Sequence, residues 1–214
     1  MCVSSQLGTS SNFAARKMSR LSNEHANRLI WVDLEMTGLD PDRNKIMEAA
    51  VIVTDKDLNI IAQSKNIVLN VSEEELDNMD EWCKKTHRET GLTAECKLSS
   101  FKVEEVDSIL ANFVQQHTPK GKCPLAGNSV SYDRSFMKKY LPKLESHMHY
   151  RIVDVSSIKE LLRLWNPALS AQAPKKKMVH RALDDILESI GELRFYKETL
   201  FLPKSSVFAA YRLQ

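Results

Sequence analysis

The feature that most constrains the fold is the order of strand-like and helix-like segments from Arg28 onward. Three strand-like apolar segments come first, at Leu29–Glu35, Ile46–Thr54 and Ile60–Leu69, with a hairpin-like turn at 54–57. Three strands in succession predict an antiparallel meander, and strands and helices then alternate. This order, β-β-β-α-α-β-α-β-α-α, predicts an α/β domain with a mixed central sheet flanked by helices.

The later segments follow from apolar spacing and from helix start and stop signals. Ser72 and Glu75 form a capping-box pattern that predicts a helix through Arg88. The other predicted elements are a helix from Val103 that Pro119 ends, a strand at Cys123–Ala126, a helix at Ser131–Tyr140, a strand at Ile152–Val155, a helix at Ser156–Trp165, and a last helix that carries Leu183 to Leu193.

The two ends of the chain differ from this central domain, which we place at 28–201. Residues 1–27 form an N-terminal tail: Met1 to Asn23 contains six serines and three basic residues, and no acidic residue precedes Glu24. This composition is typical of a mitochondrial targeting segment and equally of a disordered tail, and Met18 could serve as an internal start. We expect a mitochondrial or cytoplasmic location, or both. Residues 202–214 form a C-terminal tail.

The charge balance limits the possible functions. The net charge is only +2 for 214 residues, which argues against a protein that coats long nucleic acid by charge alone. The sequence contains no apolar run long enough for a membrane span, so we expect no membrane partner. An enzyme that binds a short anionic substrate at a local site remains possible.

Acidic residues follow two of the predicted strands. Asp33 and Glu35 lie two positions apart at the end of the first strand, so their side chains point to the same face. Asp133 lies five residues after Asn128, at the start of the helix that follows the short strand. Each feature alone is ordinary, since such acids are usually solvated or favour a helix N-terminus.

A third acidic position lies near the last helix. His180 and Asp185 would lie about 140° apart if both were inside that helix, because the helical period is about 3.6 residues. They can converge only if His180 lies on the segment that leads into the helix. An isolated histidine would more often be an ordinary surface or core residue.

Together these residues predict a metal-dependent site. Four carboxylates at one place repel each other strongly unless cations neutralise them, and Mg²⁺ prefers oxygen ligands. A pair of such ions can activate water and stabilise the leaving oxygen in phosphodiester hydrolysis. Histidine titrates near neutral pH, which suits a general base beside that water.

The three motifs Asp33-x-Glu35, Asn128-x4-Asp133 and His180-x4-Asp185, in this order, resemble those of the DEDDh 3′-to-5′ exonucleases, which have a ribonuclease H-like fold. Longer strings are similar to the oligoribonuclease branch of that family over about Arg28 to Phe201. They are WVDLEMTGLD from Trp31, PLAGNS from Pro124, YRIVDVS from Tyr150 and HRALDD from His180.

The resemblance implies an enzyme that hydrolyses very short RNAs, above all dinucleotides, to 5′-mononucleotides in the last step of RNA turnover. It implies that Asp33, Glu35, Asp133 and Asp185 hold two Mg²⁺ or Mn²⁺ ions and that His180 deprotonates the attacking water. The set is complete in this sequence.

The resemblance also implies substrate contacts. Leu39 and Trp82 correspond to residues that wedge and stack on bases, and His87 to a contact near the 3′ end. Without the motifs, Trp82 would more often be a core residue and His87 a helix-end residue. Lys175–Lys177 could guide phosphate toward His180, although charge runs are usually solvated.

A second group of contacts implies a homodimer. Tyr150 and Arg151 correspond to a pair that reaches the partner subunit's active site and closes over the substrate's 5′ phosphate, together with Ser129 and Ser156. The planar guanidinium of arginine is well suited to grip phosphate.

Two other functions remain as alternatives. One is a broader 3′-to-5′ exonuclease that acts on DNA or longer RNA with the same core, and Tyr150-Arg151 counts against it. The other is a non-catalytic RNA-binding module, which would be expected to lack at least one residue of the catalytic set.

Overall fold

A computed structural model describes residues 24–175 and 180–201, and within them a mixed sheet forms the centre of the fold. Its path runs β3-β2-β1-β5-β6, and β4 pairs with β2 beside β3. The strands are β1 (Leu29–Met36), β2 (Ile46–Thr54), β3 (Ile60–Gln63), β4 (Ile67–Val68), β5 (Pro124–Gly127) and β6 (His149–Asp154). The mixed α/β class predicted from the segment order is confirmed.

Helices connect and cover these strands. They are α1 (Glu73–Asp77), α2 (Glu81–Glu89), α3 (Leu92–Leu98), α4 (Val103–His117), α5 (Ser131–Tyr140), α6 (Pro142–Glu145), α7 (Val155–Trp165), α8 (Pro167–Ser170) and α9 (Ala182–Tyr196), followed by a π-helical turn at Lys197–Phe201. No helix in the described ranges is long and apolar enough to cross a membrane.

The core has one apolar layer on each face of the sheet. Every residue of β2 is buried, because helices cover both faces of this central strand. One layer packs residues of β1 against α4, α5 and α6, with Leu110 and Phe136 fully buried. The other packs Trp31 and Ile52 against α7 and α9.

The direction of the strands determines where the site can form. β1 pairs antiparallel with β2 but parallel with β5, and β5 pairs parallel with β6. The carboxyl ends of β1, β5 and β6 therefore meet at one edge of the sheet, where α/β proteins commonly bind ligands. Asp33 and Glu35 lie at this end of β1, and Asn128 and Ser129 directly follow β5.

The single strand predicted at Ile60–Leu69 is wrong, because the chain leaves the sheet between β3 and β4. At this point, two hydrogen bonds between Ser64 and Val51 take the place of regular strand pairing. The Ser64 N–H donates to the Val51 carbonyl at 2.8 Å, and Ser64 Oγ accepts from the Val51 N–H at 2.9 Å. β4 resumes the pairing opposite Glu48 and Ala49.

The helix predicted from Ser72 through Arg88 is also two helices rather than one. The capping box at Ser72 and Glu75 is present, but it begins only the short helix α1. Asp80 then begins α2, because its carboxylate accepts a hydrogen bond from the Cys83 N–H at 2.8 Å. Gly91 follows with a φ of 80° and leads into α3, a helix that the sequence reasoning missed.

Candidate active site

The carboxylates of β1 project from the strand as its period predicts. Glu35 lies directly opposite Glu48 of β2 in the antiparallel register, and Asp33 lies opposite Ala50. The register shifts immediately after Glu35, so β1 ends irregularly at this point. This irregularity leaves the end of the strand open as one wall of a cleft.

Asp133 reaches the same place from α5. It lies in the first turn of that helix, and its Oδ1 accepts a hydrogen bond from the Leu34 N–H at 2.9 Å. This bond joins the start of α5 to the strand that carries Asp33 and Glu35. Burial, opposed by hydrogen bonds from backbone N–H groups, raises the pKa of Asp133 to about 7.

His180 and Asp185 complete the cluster because α9 begins only at Ala182. His180 lies on the segment before the helix, and Asp185 lies in the first helical turn. The sequence spacing of the two residues allows them to converge only in this arrangement. Ligand atoms of Glu35, His180 and Asp185 all lie within 4.8 Å of one another. His180 has a φ of 51°, which is unusual for a residue other than glycine.

The electrostatics of this cluster favour a cation. Burial raises the pKa of Glu35 to about 8, and the negative charges of Asp185, Glu48 and Asp133 add to that rise. Carboxylates that resist ionisation at neutral pH, with several oxygen atoms close together, fit hard divalent ions, which would stabilise their charged forms. The donor set therefore fits the divalent metals that the sequence predicts.

An open cleft of about 400 Å³ gives access to the cluster. It is lined by all five residues of the predicted catalytic set together with neighbouring side chains, among them Leu39, Asn128, Ser129 and Tyr132. Leu39 is 62% exposed and Tyr132 is 51% exposed, so both offer apolar surface to a ligand. Tyr132 was not among the predicted contacts, and nothing in the sequence distinguishes it from an ordinary surface residue of α5.

Trp82 is exposed rather than a core residue. Its indole is 61% exposed, and its ring meets the His180 imidazole edge-to-face with the centroids 5.6 Å apart. An exposed aromatic ring next to the cluster has the geometry that base stacking needs.

His87 lies behind the cluster. Its side chain is 1% exposed, its Nε2 donates to the Met36 carbonyl at 3.0 Å, and its Nδ1 is 4.0 Å from Glu35 Oε2. Burial lowers the pKa of His87, so the ring is neutral at pH 7 and contacts the end of β1. Its contact with substrate stays a prediction.

Ser129 and Ser156 form one hydrogen-bonded unit. The Ser129 N–H donates to Ser156 Oγ at 2.9 Å and to Asp154 Oδ1 at 3.0 Å, and the two hydroxyl oxygens are 3.1 Å apart. Ser129 has a φ of 51°, so this unit holds a strained turn at the end of β5.

Tyr150 and Arg151 lie elsewhere, on the edge strand β6. Tyr150 is 72% exposed, and Arg151 Nε donates to its hydroxyl oxygen at 3.0 Å. Within the described residues, neither side chain lines the cleft of its own chain. Of the basic run Lys175–Lys177, only Lys175 falls within the described residues.

The chain is similar to known exonucleases in sequence and in fold. The sequence model of the exonuclease family called RNase T matches residues 30–193, which is most of the chain. Among solved structures, exonuclease I from Methylocaldum szegediense superposes with a TM-score of 0.61 at 20% identity, over 85% of this chain and 43% of that one. E. coli exonuclease I with a 5cy-dT13 oligonucleotide superposes with a TM-score of 0.60 at 16% identity, over 81% of this chain and 41% of that one. These neighbours show the ribonuclease H-like exonuclease fold, and this chain spans about two fifths of their length.

Closer relatives carry the name oligoribonuclease. The human mitochondrial oligoribonuclease is 50% identical over 179 residues, covering 84% of this chain and 76% of its own. The oligoribonuclease of Pseudoalteromonas translucida is 51% identical over 180 residues, covering 84% of this chain and 98% of its own. That of Neisseria meningitidis is 50% identical over 172 residues, covering 80% of this chain and 91% of its own.

The chain therefore belongs to the oligoribonuclease family of exonucleases. It is a 3′-to-5′ exoribonuclease that acts on short oligoribonucleotides, and its activity depends on divalent metal.

Proposed function

We propose that Asp33, Glu35, Asp133 and Asp185 hold two Mg²⁺ or Mn²⁺ ions in this exoribonuclease, and that His180 is its general base. The observation that carries the proposal is the convergence of Glu35, His180 and Asp185, whose ligand atoms lie within 4.8 Å of one another in an open cleft. The raised pKa values of Glu35 and Asp133 add support, because such carboxylates gain most from a nearby cation.

In the proposed hydrolysis, the metal ligands and His180 have different roles. Two divalent ions, when bound, supply charge stabilisation to the attacking and leaving oxygens. His180 accepts the proton of the attacking water through a ring nitrogen as the water oxygen bonds to phosphorus. The bond from phosphorus to the 3′ oxygen of the preceding nucleotide breaks, and that oxygen takes a proton to become a 3′ hydroxyl. The phosphate stays with the released nucleoside, so the product is a 5′-mononucleotide.

We propose that dinucleotides are the preferred substrates. Leu39 and Trp82 present exposed apolar surface beside the cleft, which suits contact with bases without regard to sequence. His87 contacts the end of β1 at Met36 and is proposed to act near the 3′ nucleotide. Ser129 lines the cleft, and its hydroxyl oxygen lies 3.1 Å from that of Ser156, so the pair is proposed to contact the substrate.

We propose further that the enzyme is a homodimer in which Tyr150 and Arg151 reach the partner's active site. β6 lies at one end of the sheet path, and edge strands commonly pair or pack with another chain. The helix that follows β6 adds exposed apolar side chains, with Leu164 60% and Trp165 76% exposed. Arg151 and Tyr150 would then close the cleft over a 5′ phosphate and exclude longer RNA.

One assay tests these proposals together. Hydrolysis of a 5′-labelled dinucleotide is compared with that of a heptanucleotide and a long single-stranded DNA, with Mg²⁺, with Mn²⁺ and with EDTA. We expect a strong dinucleotide preference that EDTA abolishes. Equal rates on all three substrates would favour the broader exonuclease, and binding without metal-dependent cleavage would favour the RNA-binding module. The oligomeric state is read in parallel by light scattering.

We also propose delivery to mitochondria. The relatives from cattle, human and mouse are named mitochondrial, and residues 1–27 have the composition of a targeting segment, although 1–23 lie outside the described residues. A reporter fused to residues 1–27 should enter mitochondria. A purely cytosolic reporter would overturn this proposal.

A further inference from the structure

An ion-pair network that runs from the buried interior to the surface lies next to the candidate general base. Arg181 follows His180 in the chain, and its guanidinium lies between Glu48 of β2 and Glu95 of α3. Its Nε and Nη2 donate to Glu48 Oε1 at 3.1 and 2.8 Å, and its Nη1 and Nη2 donate to the two Glu95 oxygens at 3.0 and 2.8 Å. The guanidinium therefore bonds both carboxylates with its planar fork.

Glu48 is the fixed side of this network. Its side chain is completely buried on the central strand, and its Oε2 also accepts the backbone N–H of Ala182 at 3.0 Å. That N–H belongs to the first residue of α9 and would otherwise lack a helical partner. Glu48 thus ties both the Arg181 side chain and the start of α9 to the strand opposite Glu35.

Glu95 is the outer side of the network. Its side chain is 45% exposed on α3, so it holds Arg181 from the surface. The adjacent N–H of Leu183 donates to Asn66 Oδ1 at 3.0 Å, which adds a second anchor for the first turn of α9. The segment that carries His180 is therefore held firmly on its C-terminal side.

The conformation of His180 explains why such anchoring is needed. Its φ of 51° lies in the left-handed region, which a residue with a side chain adopts only when its surroundings impose it. Arg181 returns to an extended conformation with a φ of −131°. The turn between them directs the imidazole toward Glu35 and Asp185, while the guanidinium points to Glu48.

We propose that Arg181 is a positioning residue that keeps His180 aimed at the carboxylate cluster by binding Glu48 and Glu95. The inference rests on the proposed role of His180 as general base. Arg181 contacts neither substrate nor metal in this scheme. It acts through the backbone turn at His180, and its charge also lowers the pKa of Glu35, so kcat is compared at saturating Mg²⁺. Its loss should therefore lower kcat and leave KM for a dinucleotide nearly unchanged.

The primary test is a double-mutant cycle with His180. Arg181→Gln should lower kcat about tenfold or more and change KM less than about twofold, because misplacing a general base forfeits part of its 10²–10⁴-fold contribution. Arg181→Lys should recover part of kcat, since it keeps the charge but loses the planar fork. In a His180→Ala background, Arg181→Gln should have no further effect.

The matched control is Arg194→Gln. Arg194 lies on the same helix as Asp185, but its guanidinium donates to the Leu58 carbonyl at 2.9 Å, away from the cluster. The kcat of the Arg194→Gln variant should equal that of the unmodified protein.

The outcomes separate this inference from the proposal on which it rests. If His180→Ala keeps full activity, the assignment of the general base is wrong. If His180→Ala loses most but not all of its activity, two results overturn only the positioning role. One is full kcat in Arg181→Gln, and the other is an equal fold loss from Arg181→Gln in the His180→Ala background.

A second variant covers the case in which Arg181→Gln does not fold. Glu95→Gln keeps the buried Glu48–Arg181 pair and changes only an exposed carboxylate. It should lower kcat about threefold at unchanged KM, as expected for one weakened charged hydrogen bond, and this effect should vanish in the His180→Ala background. An unchanged kcat in folded Glu95→Gln would overturn the role of the outer carboxylate and with it the proposed network.

Discussion

The centre of the sheet and its edge contribute to the cleft in different ways. At the centre, β1 and α5 hold Glu35 and Asp133 in a largely buried setting, where the Leu34 N–H fixes Asp133. At the edge, Tyr150 and Arg151 lie on β6 with exposed side chains: the Tyr150 ring packs on His149 with the centroids 4.4 Å apart, and Arg151 Nε donates to the Tyr150 hydroxyl oxygen.

If Tyr150 and Arg151 select substrate length as proposed, chemistry and length selection have different structural requirements. The central residues are positioned by one chain, because the strand pairing and the helix starts determine where each carboxylate lies. The edge side chains are exposed and do not line the cleft of their own chain, so the role proposed for them depends on a second subunit. The predictions below test whether the two regions really divide the work in this way.

The largest expected effect comes from the centre. Asp33→Ala should lower kcat by about 10³-fold or more, because the charge stabilisation that a bound divalent ion supplies is worth several kcal/mol. The measurement is dinucleotide hydrolysis at saturating Mg²⁺. The mass by light scattering should not change, since Asp33 lies away from β6. A loss of both activity and assembly would show that the two regions are not separable.

The next effect concerns the stability of the centre without metal. The pKa of Glu35 is raised from 4.5 to about 8, so the folded state holds this proton more tightly than the unfolded state. Stability should therefore fall as the pH rises from about 4.5 to 8, by up to about 5 kcal/mol from Glu35, because each pKa unit corresponds to about 1.4 kcal/mol. Urea unfolding in EDTA at several pH values measures this slope.

Two controls sharpen that experiment. Glu35→Gln should remove about half of the slope, leaving the comparable part that the raised pKa of Asp133, about 7, contributes. Added Mg²⁺ or Mn²⁺ should restore stability at high pH, because the ions favour the charged carboxylates. A metal-free protein whose stability rises over this pH range would contradict the assignment.

The central cluster could be predicted from the sequence because local rules determine most of it. The strand period places Asp33 and Glu35 on one face, and the spacing of His180 and Asp185 requires a turn before the last helix, which the structure has at His180. The sequence did not predict the interruption of the strand at Ser64. It also did not predict the interruption between α1 and α2, although Asp80 is a good N-cap residue. The polar run from Gln63 to Asn66 was a second signal, since it interrupts the apolar pattern of the predicted strand.

The network behind His180 could not be predicted, for a different reason. Glu48 and Arg181 are separated by 133 positions, and neither stands out in its own segment. Glu48 reads as an ordinary polar residue of a strand, and its complete burial follows only from the packing of α9 against β2. Long-range pairs of this kind arise from the fold as a whole.

At the edge, Tyr150→Ala tests whether length selection depends on β6. The kcat/KM for a dinucleotide should fall about 10- to 100-fold, as expected from the loss of about 1–3 kcal/mol of aromatic contact. The heptanucleotide should lose less. Tyr132→Ala is the comparison variant, because Tyr132 lines the cleft of its own chain and should affect both substrates alike. Full dinucleotide turnover by Tyr150→Ala would show that the edge takes no part.

The smallest expected effect lies at the boundary between the two regions. Ser156 Oγ accepts the Ser129 N–H at 2.9 Å and donates to Asn128 Oδ1 at 3.0 Å, so it joins the turn after β5 to the helix after β6. Ser156→Ala should raise KM for a dinucleotide about fivefold with little change in kcat, since one hydrogen bond is worth about 1 kcal/mol. Asp154 still holds the Ser129 N–H at 3.0 Å, which keeps the loss small. A fall in kcat instead would show that Ser156 supports the catalytic centre rather than substrate binding. The central region would then extend as far as the helix that follows β6.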